Sequence, residues 1–245
     1  MEEFKDTAIV LSARMHGESG AVVSVLCEEH GRFSGYLSGA RSKANRAWVE
    51  PGAMVTCFWK SRVSENLGSW KFEGLKSYSA LVLGDGLKLA ALQAACSLCD
   101  QALPEREGHE GLFHGLGALL GMIEREDWEI WAPAYVMWEI ALLKELGFGL
   151  NLSECVAGGD RDLIYVSPKS GGAVSRVKGE PYQDKMLPLP DFLRPQGSGE
   201  VAVDQVLDGL KMTGYFLQNW AFAQHSYGIP DARLIFEQRF ANLST

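Results

Sequence analysis

The sequence predicts an α+β protein in which a small N-terminal β-barrel precedes an all-helical domain carrying an irregular insertion. Three observations lead there. Residues 4–82 alternate in short β-branched and aromatic runs punctuated by glycine turns. From about Leu87 the apolar residues recur at helical spacing instead. Residues 151–199 keep neither period and are rich in Gly, Ser and Pro. The expected domains are therefore 1–82, then 83–150 together with 200–245, with 151–199 inserted between them.

Five strands account for the first segment. Thr7–Leu11 and Ala21–Leu26 flank the turn-prone His16-Gly17-Glu18-Ser19-Gly20, and Arg32–Leu37 follows His30-Gly31. Met54–Trp59 and Gly68–Leu75 supply the last pair. Even spacing, with glycines where a barrel must bend, suggests a closed barrel of the OB type, and an SH3-like barrel gives nearly the same pattern. Leu87, Leu89, Leu92, Ala95, Cys96, Cys99 and Leu103 then mark a helix stopped by Pro104. A second helix covers about 110–125. A third runs from Pro133, suited to a first turn, to Leu146, with Gly147 as its C-terminal cap. Two more span about 203–223 and 231–242.

Composition narrows the function classes. With 47% hydrophobic and 22% charged residues the chain has ample material for a core. No run of about 18 apolar residues occurs, so no membrane helix is expected. The charged opening Met1-Glu2-Glu3-Phe4-Lys5-Asp6 does not read as a signal peptide, and five cysteines scattered among apolar neighbours read as reduced thiols, so the expected location is the cytoplasm. The net charge of −8 is unevenly spread. Residues 1–82 hold ten Lys/Arg against nine Asp/Glu, whereas the remainder holds 13 against 22. An acidic body repels phosphate, so nucleic-acid contact is expected only in the first third.

Within that third, Gly39-Ala40-Arg41-Ser42-Lys43-Ala44-Asn45-Arg46 joins the third and fourth strands and carries three cations. A cationic loop at a barrel mouth can follow a phosphate backbone without demanding a base sequence, although a basic loop that is merely solvated has the same composition. Arg41, Lys43 and Arg46 are thus the primary phosphate contacts expected, with Arg14, Arg32, Lys60 and Arg62 as secondary cations. Of the barrel aromatics, Tyr36 and Trp48 are preferred over Phe33 and Phe58 for stacking bases.

The other motifs carry less. Cys96-Ser97-Leu98-Cys99 lies on an apolar helical stripe with no second pair at zinc spacing, which marks two small core residues. His109 and His114 do not share a helix face. No nucleophile, base and oxyanion donor can be assembled, and Asp160 and Asp162 in the glycine-rich insertion have no partner base, so the chain is not read as an enzyme.

Several runs resemble the RecO family of DNA repair proteins. They are Ser38–Lys43 leading to Pro51-Gly52, Leu98–Glu107, Leu143–Leu150, Tyr165–Ser175, and Leu187-Pro188-Leu189-Pro190-Asp191-Phe192-Leu193. Their order and spacing match across essentially the whole chain. The resemblance implies an OB domain, a helical domain and an insertion that in some members is a four-cysteine zinc module. It also implies binding of single- and double-stranded DNA, strand annealing, and action with RecR and the C-terminal tail of SSB to help RecA replace SSB. Here only Cys155 stands near a ligand position, with Gly158, Ser170 and Ser175 where thiolates would be. One thiolate cannot hold a structural zinc ion, so a zinc-free insertion packed around Leu163, Tyr165 and Val174 is expected. The alternative function is a general OB-type single-strand DNA or RNA binder without a mediator role.

Overall fold

The computed structural model describes residues 2–62, 67–158, 161–199 and 201–244. Five strands, β1 (Glu2–His16), β2 (Gly20–Cys27), β3 (Gly31–Leu37), β4 (Ala53–Ser61) and β5 (Ser69–Ser77), close into a barrel of order β1-β2-β3-β5-β4. Closure depends on the length of β1. Its first half pairs antiparallel with β4, from Glu2–Ser61 to Ile9–Met54, and its second half pairs with β2, with a bulge between Val10 and Ser12. A short parallel contact of β3 with β5, at Tyr36–Ser69 and Leu37–Trp70, completes the circle. This is the OB arrangement, and it decides between the two barrel types that the strand pattern leaves open.

Alternation fills the interior. Along β4 the buried residues are Ala53, Val55, Cys57, Trp59 and Ser61, while Met54, Thr56, Phe58 and Lys60 stand on the other face. The buried set meets Val23, Val25, Phe33, Trp70 and Phe72 in one core. Trp59 and Trp70 are buried with their indole N–H groups donating to the carbonyls of Leu67 and Val23, which satisfies the polar end of each ring.

Helices α1 (Tyr78–Leu81), α2 (Gly86–Ala102) and α3 (Glu110–Arg125) follow. Asp85 caps α2 by accepting the Leu87 and Lys88 N–H groups at 2.9 and 3.0 Å. Cys96 and Cys99 are fully buried in α2. The link between α2 and α3 covers one end of the barrel. Arg32 of β3 pairs with Glu105, its Nε donates to the Leu103 carbonyl at 2.7 Å, and the Arg106 guanidinium lies 5.0 Å from the Phe33 ring and 5.8 Å from Trp59. The barrel and these helices form one compact unit, Met1–Arg125 with Pro230–Arg233.

The second unit is Glu126–Ile229 with Leu234–Thr245. It opens with α4 (Trp128–Glu145), which begins a full turn before the expected first-turn proline, so Pro133 lies inside the helix. Burial of Trp131, Ala132, Tyr135 and Val136 offsets the backbone hydrogen bond that proline cannot donate. Gly147, at φ +86°, ends it as expected, with Phe148 N donating to Leu143 O at 2.7 Å. The insertion is more regular than its composition suggests. β6 (Leu163–Val166), β7 (Ala173–Ser175) and β8 (Leu187–Pro188) form a three-stranded sheet of order β7-β6-β8, with α5 (Arg176–Gly179) after β7. Leu163, Val166, Val174 and Leu189 are buried on it, and the Tyr165 ring packs on Gly179. α6 (Val203–Phe216) packs Gly209 against Val136 of α4 and donates the Thr213 hydroxyl to the buried Glu139 carboxylate. α7 (Asp231–Ala241) brings Phe236 and Phe240 to Trp131.

Candidate nucleic-acid interface

The outer face of β1, β4 and β5 carries a cross-strand triad. Antiparallel register sets Lys5 and Lys71 on either side of Phe58. Their ammonium groups lie 5.5 and 5.1 Å from the centroid of its half-buried ring. Two residues along β4, on the same face, Lys60 is exposed and stands opposite Glu3 and Ser69. A groove of about 740 Å³ runs over this face, bounded by Lys5, Phe58, Lys60 and Lys71 and, from β3 and its exit, by Tyr36 and Ser38. Glu3 also lines it, and Glu73 pairs with Lys71 at 3.0 Å with both side chains largely exposed. An exposed pair of that kind contributes at most about 1 kcal/mol, so a phosphate can replace the carboxylate.

Tyr36 reaches the groove because β3 alternates and its outward set is Arg32, Ser34 and Tyr36. Its phenol lies over Gly20 at the start of β2, where a Cβ would come within 2.0 Å of the hydroxyl oxygen. The Tyr36 N–H donates to Gly68 O at 3.0 Å, which ties the groove wall to the approach to β5.

The expected cationic loop leaves β3 at Ser38, on the rim of this groove. It is a stack of turns rather than an irregular tether. The Ser42, Asn45 and Arg46 N–H groups donate to carbonyls three or four residues back, and the Asn45 amide donates to Ser38 O and Gly39 O. Arg41 is anchored to the β1–β2 turn: its N–H donates to Ser19 O at 3.3 Å and its guanidinium to Glu18 O at 3.2 Å. Arg41, Lys43 and Arg46 are all exposed, and none is ion-paired with a described carboxylate. Arg62 is exposed just beyond β4.

Three expected residues sit elsewhere. The Arg32 side chain is 18% exposed and held by Glu105 at 3.3 Å, Asp100 at 3.9 Å and the Leu103 carbonyl, so it anchors the α2–α3 link instead of facing a polynucleotide. Arg14 is exposed but lines a separate groove with Asp100 and Glu105, whose charge opposes phosphate. The Trp48 indole packs against the barrel core and over Gly74 of β5, where a Cβ would lie 2.0 Å from its ring. The ring is half-buried, with the side toward Gly74 taken up by the fold.

Lys5 and Lys71 are not among the contacts expected from the sequence, and Phe58 ranks there below Tyr36 and Trp48. A signal did exist: period two places Phe58 on the same face as Lys60, so the cation and the aromatic belong together. Deeper under this face Phe4 stacks on His30 at 3.9 Å, and His30 Nδ1 is 2.7 Å from Asp6 Oδ2. Asp6, with a 3% exposed side chain, also accepts the N–H groups of Thr7, Glu29 and His30. This buried carboxylate fixes the β2–β3 turn to β1.

Of the four insertion positions compared with a zinc module, this chain carries a thiol at Cys155 and Gly158, Ser170 and Ser175 at the others. Cys155 accepts the Ser175 N–H at 3.3 Å, Ser175 and Gly158 have no thiolate to offer, and among the described residues no three His, Cys, Asp or Glu side chains converge as a metal site would require. Asp162 accepts Arg176 Nε at 2.7 Å, and Asp160 lies outside the described residues. No described helix is long and apolar enough to cross a membrane.

Comparison with known proteins matches both halves of the chain. The family model described as "Recombination protein O N terminal" matches residues 1–78, and "Recombination protein O C terminal" matches residues 83–223. A protein of Caulobacter vibrioides (strain NA1000 / CB15N) named "DNA repair protein RecO" is 44% identical over 240 residues, 98% of each chain. Proteins of the same name from Rhodospirillum centenum and Rhodospirillum rubrum are 44% and 43% identical. Those matches cover 99% and 100% of this chain and 96% and 98% of theirs.

Proposed function

Since the chain belongs to the RecO family of DNA repair proteins, we propose that it is a non-catalytic recombination mediator that binds DNA on the barrel face of Lys5, Phe58, Lys60 and Lys71. The observation carrying this is the triad: an outward aromatic ring flanked by two ammonium groups in an open groove. Bases stack on such a ring through their π-faces while phosphates meet the lysines, and neither contact reads sequence. Tyr36 extends the platform, and Arg41, Lys43 and Arg46 prolong the positive track beyond Ser38.

The same geometry supports a role in annealing. A strand held by stacking and by its backbone keeps its Watson–Crick edges free, so a complementary strand can pair with it without first displacing the protein. Single- and double-stranded DNA both present the phosphates that the cations need. The acidic remainder, with 13 basic against 22 acidic residues from 83 onward, repels nucleic acid and leaves its surface to proteins. In this reading those partners are RecR and the C-terminal tail of SSB, through which the protein helps RecA replace SSB. The insertion works without zinc, held by its small sheet, and the protein acts in the cytoplasm on nucleoid DNA.

The deciding experiment is annealing of complementary oligonucleotides pre-coated with SSB. The protein is expected to accelerate it and to be captured by an SSB tail peptide. Strand binding without either property would favour the simpler reading, a general OB-type single-strand DNA or RNA binder.

A further inference from the structure

α4 is apolar on more of its circumference than its own unit covers. Trp131, Tyr135, Val136, Trp138, Leu142 and Leu143 are buried. Ile130 and Met137, by contrast, keep 50% and 56% of their surface, Ala141 is exposed and Ala134 is half-buried. A surface helix ordinarily turns polar side chains to water on that side. Positions 130, 134, 137 and 141 step by four, three and four, so these side chains form one straight stripe along the helix. Continuing the steps outward reaches Asp127 and Lys144, both exposed. Asp127 is the N-cap residue of α4, yet its carboxylate makes no cap hydrogen bond.

Reversed, the stripe is complementary to itself. Consider two α4 helices laid antiparallel about a two-fold axis at the level between Tyr135 and Val136. Ile130 of one then lies opposite Ala141 of the other, and Met137 opposite Ala134, so each large side chain meets a small one. The same register sets Asp127 opposite Lys144 at both ends. Sliding by one heptad in either direction loses this match, because it sets Asp127 against Met137 or Lys144 against Ala134. Like charges meet as well, Glu126 falling opposite Glu145, so the apolar stripe supplies most of the attraction and the ion pairs fix the register.

We propose that this stripe is an interaction surface for a second copy of the chain, with two α4 helices paired antiparallel about a two-fold axis. One helix stripe per chain falls short of the roughly 1,200 Å² that stable complexes bury, so the pair forms weakly and reversibly. A pair carries two barrel faces, one for each strand to be annealed. That consequence, unlike the pairing itself, rests on the function proposed above.

The test is sedimentation equilibrium of the full chain without DNA, from about 1 to 200 µM, a range that brackets the affinity of a weak interface. A monomer–dimer equilibrium is expected. Met137→Glu places a charge beside the two-fold axis and should weaken association about tenfold or more, with thermal melting little changed because the residue is exposed. Lys144→Asp sets like charges against each other at both ends and should weaken association a few-fold. Adding Asp127→Lys to that variant reverses both pairs and should restore the wild-type equilibrium, a rescue that damage to the fold would not allow. The proposal is overturned if the chain stays monomeric over the whole range, if Met137→Glu associates like the wild type, or if the double exchange fails to rescue the single one. A monomeric chain whose Met137→Glu variant loses capture by an SSB tail peptide would also overturn it, and would assign the stripe to that partner.

Discussion

Replacing Lys5, Lys60 and Lys71 together by Gln removes the positive charge of the groove and leaves the interior intact, because all three side chains are exposed on the outer face. Each phosphate contact on a single strand contributes about 0.7 to the slope of log affinity against log salt, so three contacts contribute about 2. Between roughly 50 and 200 mM salt that difference amounts to about a twentyfold change in affinity. Phe58→Ala acts on a separate axis. It removes one stacked base, about 1–3 kcal/mol, which lowers affinity between about fivefold and 150-fold while leaving the slope in place. The assay is fluorescence anisotropy of a labelled oligonucleotide across a salt series, with Arg41, Lys43 and Arg46 changed together to Ala as a third arm. A lysine variant that keeps the wild-type slope would refute the assignment of this face. If only the loop variant flattened the slope, the interface would lie at residues 41–46 and the triad would be ordinary surface.

Three further outcomes test the surroundings. Gly74→Ala drives a Cβ into the Trp48 ring and should cost about 1–3 kcal/mol in urea unfolding while salt-dependent binding survives. Asp6→Ala leaves the N–H groups of Thr7, Glu29 and His30 without their acceptor, for an expected loss of about 2–4 kcal/mol by the same measurement. Incubation with a chelator should leave the melting temperature unchanged, and a clear drop would show that the insertion holds a metal after all.

Local pattern carried the strands, the helix ends at Pro104 and Gly147, and the burial of Cys96 and Cys99, because each depends on neighbours a few residues away. Arg32 shows where such reading stops. Its partners Asp100, Leu103 and Glu105 lie about seventy residues on, so a cation that counts toward a positive surface in sequence is neutralised in space. Trp48 and Phe58 changed places for a related reason. Trp48 lies in a turn segment where no periodicity says which way a ring points, and a glycine on another strand receives it. Phe58 sits in a strand whose period was visible, but which parity faced inward was settled only by Cys57 and Trp59 entering the core. The insertion's sheet escaped notice because its strands have four, three and two residues, too short to show an alternation.

Arg106 and its neighbours bear on how the protein is made. The strands are synthesised before their cover: the guanidinium over Phe33 and Trp59, and the carbonyl and carboxylate that hold Arg32, are encoded after the strands and nearly all of α2. Until synthesis has passed residue 106 the nascent barrel shows water an open aromatic end. The barrel is therefore most exposed to wrong association during that stretch of translation, and its aromatic end is closed by the helical cover, not by the fifth strand.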